Sequence, residues 1–381
     1  MPANYQVVVQ NTTGVPVDTF DRFIDLSYAR RFNTMGSLIL TIPDIITPGY
    51  INRDFRLLVY RSVDDRPPYL DMDAFWLVRK ITYNSDDRTW TIRADDPLSI
   101  LKRRIVGYKE GTEYANKNSD VHIGTTFYAD DLIKEFVREN LGSDTFVPVT
   151  GPSPDPDRDL SDYLVIDVDR TEGPAMEKDA AFQNILSVCQ DIAKTSAQLG
   201  INLYFDIIVR PDGSLFFKTW TSIRGSDRGA SSASPLIFYP DHNLEKLTLE
   251  WDYSEEISFI YAGGEDSGEY RLIVRDGDSD RAAVSPWNRN EKFLDLRDTG
   301  NISVMDDEID AALYGGRGRL RIVGSPIEVS GTQYGVDYLY GDVVQATVMG
   351  YSFDSTIDSV SVRVADSGEE ISVQLSGEFI L

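Results

Sequence analysis

Cysteine, histidine, positive charge and long apolar runs are all scarce in this chain. Its one cysteine, Cys189, excludes an intrachain disulfide framework and a cysteine-rich zinc site. That residue falls on the apolar stripe of an expected helix, where a thiol packs as a small hydrophobe. Only two histidines, His122 and His242, are available for a nucleophile–base pair. His242 sits in the turn Pro240-Asp241-His242-Asn243, where an exposed imidazole is expected. There is no Gly-x-Ser-x-Gly elbow and no His-Glu-x-x-His pair. No apolar run approaches the ~18 residues of a membrane-spanning helix. The opening residues MPANYQVVVQ lack the basic-then-apolar order of a secretory leader, so a soluble, cytosol-made chain is expected.

Positive charge is the largest deficit. Thirty-seven Lys plus Arg face 62 Asp plus Glu, a formal net charge of −25. Affinity for nucleic-acid phosphates rests on Lys and Arg contacts, so a DNA- or RNA-binding role is disfavoured. Docking on an anionic membrane is disfavoured for the same reason. The ordinary reading of the excess is a solvated surface that keeps the chain soluble. The other reading is a wall that repels DNA sliding past it.

What is present is mostly strand. Residues 23–42, FIDLSYARRFNTMGSLILTI, read as two strands joined at Asn33 and Gly36. Leu38, Leu40 and Ile42 alternate with Ser37, Ile39 and Thr41, the period of a half-buried strand. Phe55, Leu57 and Val59 alternate next; a run over 75–81 and a strand around Trp90 and Ile92 follow across the turn Asn84-Ser85-Asp86-Asp87. Five or six short strands in so few residues predict a small antiparallel barrel or sandwich.

Helices are expected over 97–104, capped by Asp96 before Pro97, over 130–140, over 179–199 ending at Gly200, and over 304–314 capped by Ser303. Residues 106–125 read as an exposed loop, and 142–173, with GPSPDPDRD, as a long irregular one. The strands 201–209 and 214–220 flank Pro211-Asp212-Gly213 as a hairpin, expected to rejoin the first sheet. Leu247, Leu249 and Trp251 alternate, as do Ile257, Phe259 and Tyr261; another hairpin is expected over 269–284, and strands run from Leu320 to the end.

The candidate sites are weak. The ladders Asp155-Asp157-Asp159 and Asp276-Asp278-Asp280 resemble the opening of a calcium loop, but Ile166 and Trp287 occupy the place of its last acidic ligand. Solvated turn carboxylates are expected. Gly315-Gly316-Arg317-Gly318 follows a helix and precedes a strand, the reverse of a phosphate cradle. Tyr108, Tyr114 and Tyr128, near an exposed loop, are the one hint of a carbohydrate- or receptor-binding face, and packing tyrosines are the commoner case. With 62 carboxylates, a glycosidase-like acid pair arises by number alone and carries no weight.

The layout repeats weakly. Gly341-Asp342 leads into Val344, Ala346 and Val348 much as Asp54 leads into Phe55, Leu57 and Val59. Paired strands follow in both halves. Order and periodicity support this, residue identity does not, and either a duplicated barrel or chance would produce it.

Several stretches together resemble the tail-tip or baseplate hub family of siphophages. They are LSYARRFNTMGSLILTIP (26–43), ADDPLSILKRR (94–104), NILSVCQDIAKT followed by LYFDIIVRPDGSLFFKTW, WNRNEKFLDLRD (287–298), YGVDYLYGDVV (334–344) and the closing Leu375-Ser376-Gly377. None is a catalytic motif; their joint order carries the resemblance. It implies a β-rich α+β chain with two small antiparallel β-barrel hub domains and an inserted helical and irregular domain. Such hubs are similar in architecture to contractile-tail hubs and to the type VI secretion spike base. The expected division is 1–104 plus 201–245 for the first barrel and 105–200 for the insertion. The second barrel takes 246–286 plus 318–381, with a short helical insertion at 287–317.

It implies further a homotrimer forming a pseudo-six-fold ring in the virion tail tip. Partners would be a distal tail protein or tube ring, a tape-measure protein, and tip, fibre or receptor-binding proteins, with DNA passing unbound and no membrane contact. No enzyme activity, catalytic residue, metal or cofactor is expected. A tail-associated cell-wall hydrolase and a receptor- or carbohydrate-binding tail protein are the alternatives.

Overall fold

The computed structural model describes every residue except 1–2, 45–50, 65, 108–126, 143–157, 177, 179, 181, 211–212, 266–267 and 298–299. His122, Tyr108, Tyr114, Asp155 and Asp157 therefore lie outside the described residues, as does most of the two expected loops.

Seven strands come first: β1 (Asn4–Gln10), β2 (Pro16–Phe20), β3 (Asp25–Arg31), β4 (Thr34–Pro43), β5 (Arg56–Ser62), β6 (Tyr69–Asn84) and β7 (Thr89–Asp95). A mixed segment follows, with α1 (Ser99–Lys102), β8 (Phe127–Tyr128), α2 (Ala129–Leu141), β9 (Leu164–Ile166), β10 (Ala175–Met176), α3 (Ile185–Gln198), β11 (Leu203–Val209) and β12 (Leu215–Thr221). Then come β13 (Asp227–Arg228), β14 (Ile237–Phe238) and β15 (Leu244–Asp252). A second inserted unit holds β16 (Phe259–Gly263), β17 (Ile273–Gly277), α4 (Ser279–Ala283), β18 (Glu291–Asp295) and α5 (Ile302–Gly315). The chain closes with β19 (Arg319–Pro326), β20 (Val343–Val348), β21 (Tyr351–Ala365) and β22 (Gly368–Ile380).

The chain is β-rich, as expected, but among the described residues its strands do not close into barrels. One 14-stranded sheet runs β15-β19-β22-β21-β3-β4-β7-β6-β5-β1-β2, with β20 also on β21 and the short β13 and β14 on β20. The physical reason lies at β3. This strand, which would have to help close a first barrel on itself, instead pairs antiparallel with β21, Tyr28 opposite Val362. One apolar core, including Leu40, Trp76, Val344 and Ile357, underlies both halves.

Within that sheet the same path occurs twice. β3 and β4 form a hairpin, β4 pairs with β7, and β5-β6-β7 is a meander. β15 and β19 pair, β19 pairs with β22, and β20-β21-β22 is a meander. The correspondence reaches single hydrogen bonds. Asp54 N donates to Val78 O and Gly341 N to Ile357 O, each at 3.0 Å; Val78 N donates to Phe55 O and Ile357 N to Asp342 O, each at 2.9 Å. Asp54 and Gly341 both have positive φ, and a bulge follows at Arg79 and at Asp358. In this register Leu57 corresponds to Val344 and Val59 to Ala346. The halves differ where β1 runs antiparallel to β5, while β13 and β14 run parallel to β20.

Two expected hairpins come out differently. β11 and β12 do not rejoin the first sheet; β12 takes β9 as a parallel neighbour, forming a separate three-stranded sheet. The cause is a second core, in which Phe205, Ile207 and Phe217 pack with Phe136 of α2, Val188 and Ile192 of α3, and Leu58, Phe75 and Leu77 from the back of the large sheet. The hairpin expected over 269–284 does not form: residues 279–283 are α4, and β17 pairs with β16, which takes β18 on its other side because Ile260 and Ala262 pack on Met305, Ile309 and Leu313 of α5. That whole unit fills the turn between β15 and β19, which in the first half is only Phe32-Asn33.

The helices form near their expected places with some changes of cap. Asp96 Oδ1 accepts from Leu98 N (2.7 Å) at the α1 start, Asn184 caps α3, and Asn301, not Ser303, caps α5. Gly200, at φ +88°, ends the α3 region as expected.

Candidate functional site: the joint between the two β modules

The densest polar chemistry lies where the two halves meet, and most of it is buried. Arg30 is raised from the end of β3 into this joint. Its Nε donates to Asp96 Oδ2 (2.6 Å), Nη1 to Met72 O (3.0 Å) and Nη2 to Asp206 Oδ1. Asp206 Oδ2 also accepts from Arg224 Nη2 (3.0 Å). The Tyr340 ring lies against both guanidiniums, 5.9 Å from Arg30 and 4.8 Å from Arg224. Burial opposes the Arg30 charge, but the Asp206 and Asp96 carboxylates outweigh it and hold its pKa above the ordinary value. Burial pushes the Asp96 carboxyl up, against the pull of Arg30. The cluster thus ties β3, the α1 start, β11 and the segment before β20 into one electrostatic unit.

A second cluster adjoins the first, since Asp71 is next to Met72 and Tyr28 is two residues from Arg30 on β3. Asp71 on β6 accepts from the Tyr28 hydroxyl (2.6 Å) and the Tyr334 hydroxyl (2.7 Å). Arg61 donates to the Tyr5 hydroxyl (2.8 Å), Glu369 Oε1 (2.9 Å), the Tyr69 hydroxyl (3.1 Å) and Tyr334 O (2.9 Å). Burial raises the pKa of Asp71 and of both tyrosines it binds. Gly335, at φ +79°, is required here: a Cβ would lie 2.1 Å from Arg61 Nη1 and 2.2 Å from the Tyr69 hydroxyl. Charged and phenolic groups tied together in this way fix geometry.

A family model described as the Siphovirus ReqiPepy6 Gp37-like protein matches residues 77–375 of this chain. The chain belongs to that siphovirus family. Solved structures share its fold. The prophage tail protein gp18 of Listeria monocytogenes EGD-e superposes with a TM-score of 0.51 at 12% identity, covering 98% of this chain and 94% of that one. The tail protein of Neisseria meningitidis MC58 gives 0.51 at 13%, covering 98% and 97%. The 43 kDa tail protein of prophage MuSo2 from Shewanella oneidensis gives 0.51 at 10%, covering 97% and 98%. No curated protein sequence matches.

Within this siphovirus-family chain the residues singled out from sequence disperse. Cys189 is fully buried on α3, and burial pushes its thiol well up, as suits a packing residue. His242 is exposed and stacked on Tyr239 at 4.8 Å. Asp278 caps α4 through Asp280 N and Arg281 N; Asp276 and Asp159 each accept from a nearby backbone N–H. Among the described residues no group of three His, Cys, Asp or Glu side chains could hold a metal. Gly315 closes α5, and Gly316 passes so close to Ile257 that a Cβ would meet it at 2.8 Å. Tyr128 precedes α2 and is half-buried. No described helix is long and apolar enough to cross a membrane.

Besides the joint, two further features were missed from sequence. Lys134 on α2 is fully buried, donating to Asp130 (2.9 Å), Asp131 (3.0 Å) and Val168 O (2.8 Å). Those carboxylates accept from the backbone N–H groups of Arg170, Thr171 and Glu172, so residues 168–172 are fastened to α2. The second is a set of exposed apolar side chains on the inserted unit: Trp287 (92% exposed), Tyr270, Val284, Phe293 and Ile273. The spacing of Lys134 at i+4 from Asp130 and i+3 from Asp131 was a legible cue for the first.

Proposed function

We propose that this protein is the structural hub of a siphophage tail tip, acting as a homotrimer. Three copies, each with two like β modules, make a ring of six modules that joins a six-fold tail tube to three-fold tip or fibre proteins. The observation that carries this reading is the twofold occurrence of one strand path within a single chain, matched to the level of the Asp54–Val78 and Gly341–Ile357 hydrogen bonds. The chain division that goes with it is two β modules in one sheet, with residues 96–221 and 253–318 as insertions.

The acid excess gives the ring a purpose for its wall. A surface carrying the −25 balance repels DNA phosphates, so DNA leaves without adhering. The exposed Trp287, Tyr270 and Phe293 supply an aromatic surface of the kind a neighbouring tail protein buries. A distal tail protein or tube ring, a tape-measure protein and tip proteins are the partners this geometry invites. Light scattering on the purified chain is expected to report a trimer. A monomer across the full accessible concentration range would sink the reading.

A further inference from the structure

Inside the chain, the sheet passes from the first module to the second at one strand pair: β3 adds onto the C-terminal half of β21, beside β20. The twofold path assigns each of these strands a counterpart. Leu77 and Thr356 hold the same place, opposite Asp95 and Ser376. Asp95 and Ser376 lie opposite Ser37 and Val323, which lie opposite Ala29 and Thr248. Thr248 on β15 is therefore the counterpart of Ala29 on β3. Past the bulges, Thr82 on β6 is the counterpart of Ser361 on β21.

Both counterparts are open. β15 ends the sheet, and beyond Val78 β6 has no strand partner on its β5 side among the described residues. Burial records the same vacancy. Val360 and Val362 are fully buried under β3, whereas their counterparts Ile81 and Tyr83 are half-buried and 45% exposed. Tyr28 and Arg30 are buried under β21, whereas their counterparts Leu247 and Leu249 are only half-buried. Two apolar strand edges left unpaired in a chain of this size are a template for another strand.

We infer that β15 of one copy pairs antiparallel with residues 80–84 of β6 in the next copy, in the register that β3 and β21 use within the chain. This rests on the hub reading above and names its contact. Ser361 faces Ala29 inside the chain, so Thr82 faces Thr248 of the next copy. Two residues along, Lys80 faces Glu250, as Ser359 faces Arg31. The charges suit the pairing. Inside the chain Arg31 lies 3.8 Å from Asp358; in the contact between copies Glu250 takes the place of Arg31 and Arg79 that of Asp358, so the pair returns with its signs exchanged. Such an interface joins two different surfaces, head to tail, and a closed ring follows only if its rotation closes.

The test is a Lys80→Cys/Glu250→Cys chain, with Thr82→Cys/Thr248→Cys as a second, independent pair; all four positions are exposed, and the native Cys189 is buried. Directly opposed strand residues bring their Cβ atoms to about 5 Å, within reach of a disulfide or a short bis-maleimide. Covalent species are expected to climb to three chains and stop, while each single variant gives no covalent trimer. The Lys80→Glu change is expected to weaken association several-fold, and adding Glu250→Lys to restore it. A trimer by light scattering with neither pair cross-linking would overturn this strand pairing and leave the hub reading standing. A monomer without cross-links would overturn both, and a ladder running on past three chains would replace the ring with an open filament.

Discussion

The two β modules share a strand path and differ in what lies on their backs. Leu58 and Phe75 are cross-strand partners in the first module; Gln345 and Asp354 are the partners at the same place in the second. Next along, Leu77 answers to Thr356. The insertion of α2, α3 and the β11–β12 hairpin packs on Leu58, Phe75 and Leu77, so the first sheet is buried on both faces. Among the described residues the second module has no such helical cover: Asp354 is exposed and Gln345 half-exposed. One architecture therefore carries two burial programmes, and the residues on the back face alone distinguish them. Strands β3 and β15 make the same point, since Arg30 is enclosed at the joint while its counterpart Leu249 stands half open.

That difference also explains what could be read in advance. The second module alternates polar and apolar residues cleanly, as Val360, Val362 and Val364 do, because one face meets solvent. The first contains the continuous runs RLLVY and AFWLV, which a period-two reading takes for a single-sided strand. The run was the trace of a second core, and that core is why the β11–β12 hairpin stays with the helices. Helix positions were legible from the apolar stripe of α2 and the glycine stop after α3. The joint was not. Arg30, Asp96 and Asp206 lie far apart in the chain, and no local pattern marks a buried charge whose partners arrive from other elements.

Breaking the joint should have the largest effect. Arg30→Met leaves the buried Asp96 without its cation and Asp206 with Arg224 alone, and is expected to destabilise by about 3–5 kcal/mol, measured by denaturant unfolding. The covered and bare backs can be compared directly. Phe75→Ala should cost about 3–4 kcal/mol, while Val323→Ala, at a position 37% exposed in the second module, should cost less than about 1 kcal/mol. Equal losses would mean that both backs are covered. Gly335→Ala at the joint is expected to cost about 2–3 kcal/mol from its positive φ and the crowding by Arg61 and Tyr69. An unchanged melting midpoint would show that the joint is looser than drawn.

The smallest effect separates the modules by pH. Glu135 on α2, in the covering insertion, is pushed up from 4.5 to about 7, first by burial and then by the neighbouring Glu139. A carboxyl raised in the folded state contributes stability below its unfolded value, and loses it as pH rises toward the folded value. Going from about pH 5 to about pH 8 should loosen the insertion by about 1 kcal/mol after solvent screening, and Glu135→Gln should remove that slope. Hydrogen exchange should place the change in α2 and leave β20–β22 unaltered. A matching change in the second module would contradict the assignment.

Electron microscopy of the purified chain, averaged down its symmetry axis, tests the central claim most directly. Six β modules in a ring around an open axis, two from each of three chains with the insertions projecting outward at three-fold intervals, is the predicted image. Isolated particles with a single pair of modules, or rings in which every module carries the same insertion, would contradict it.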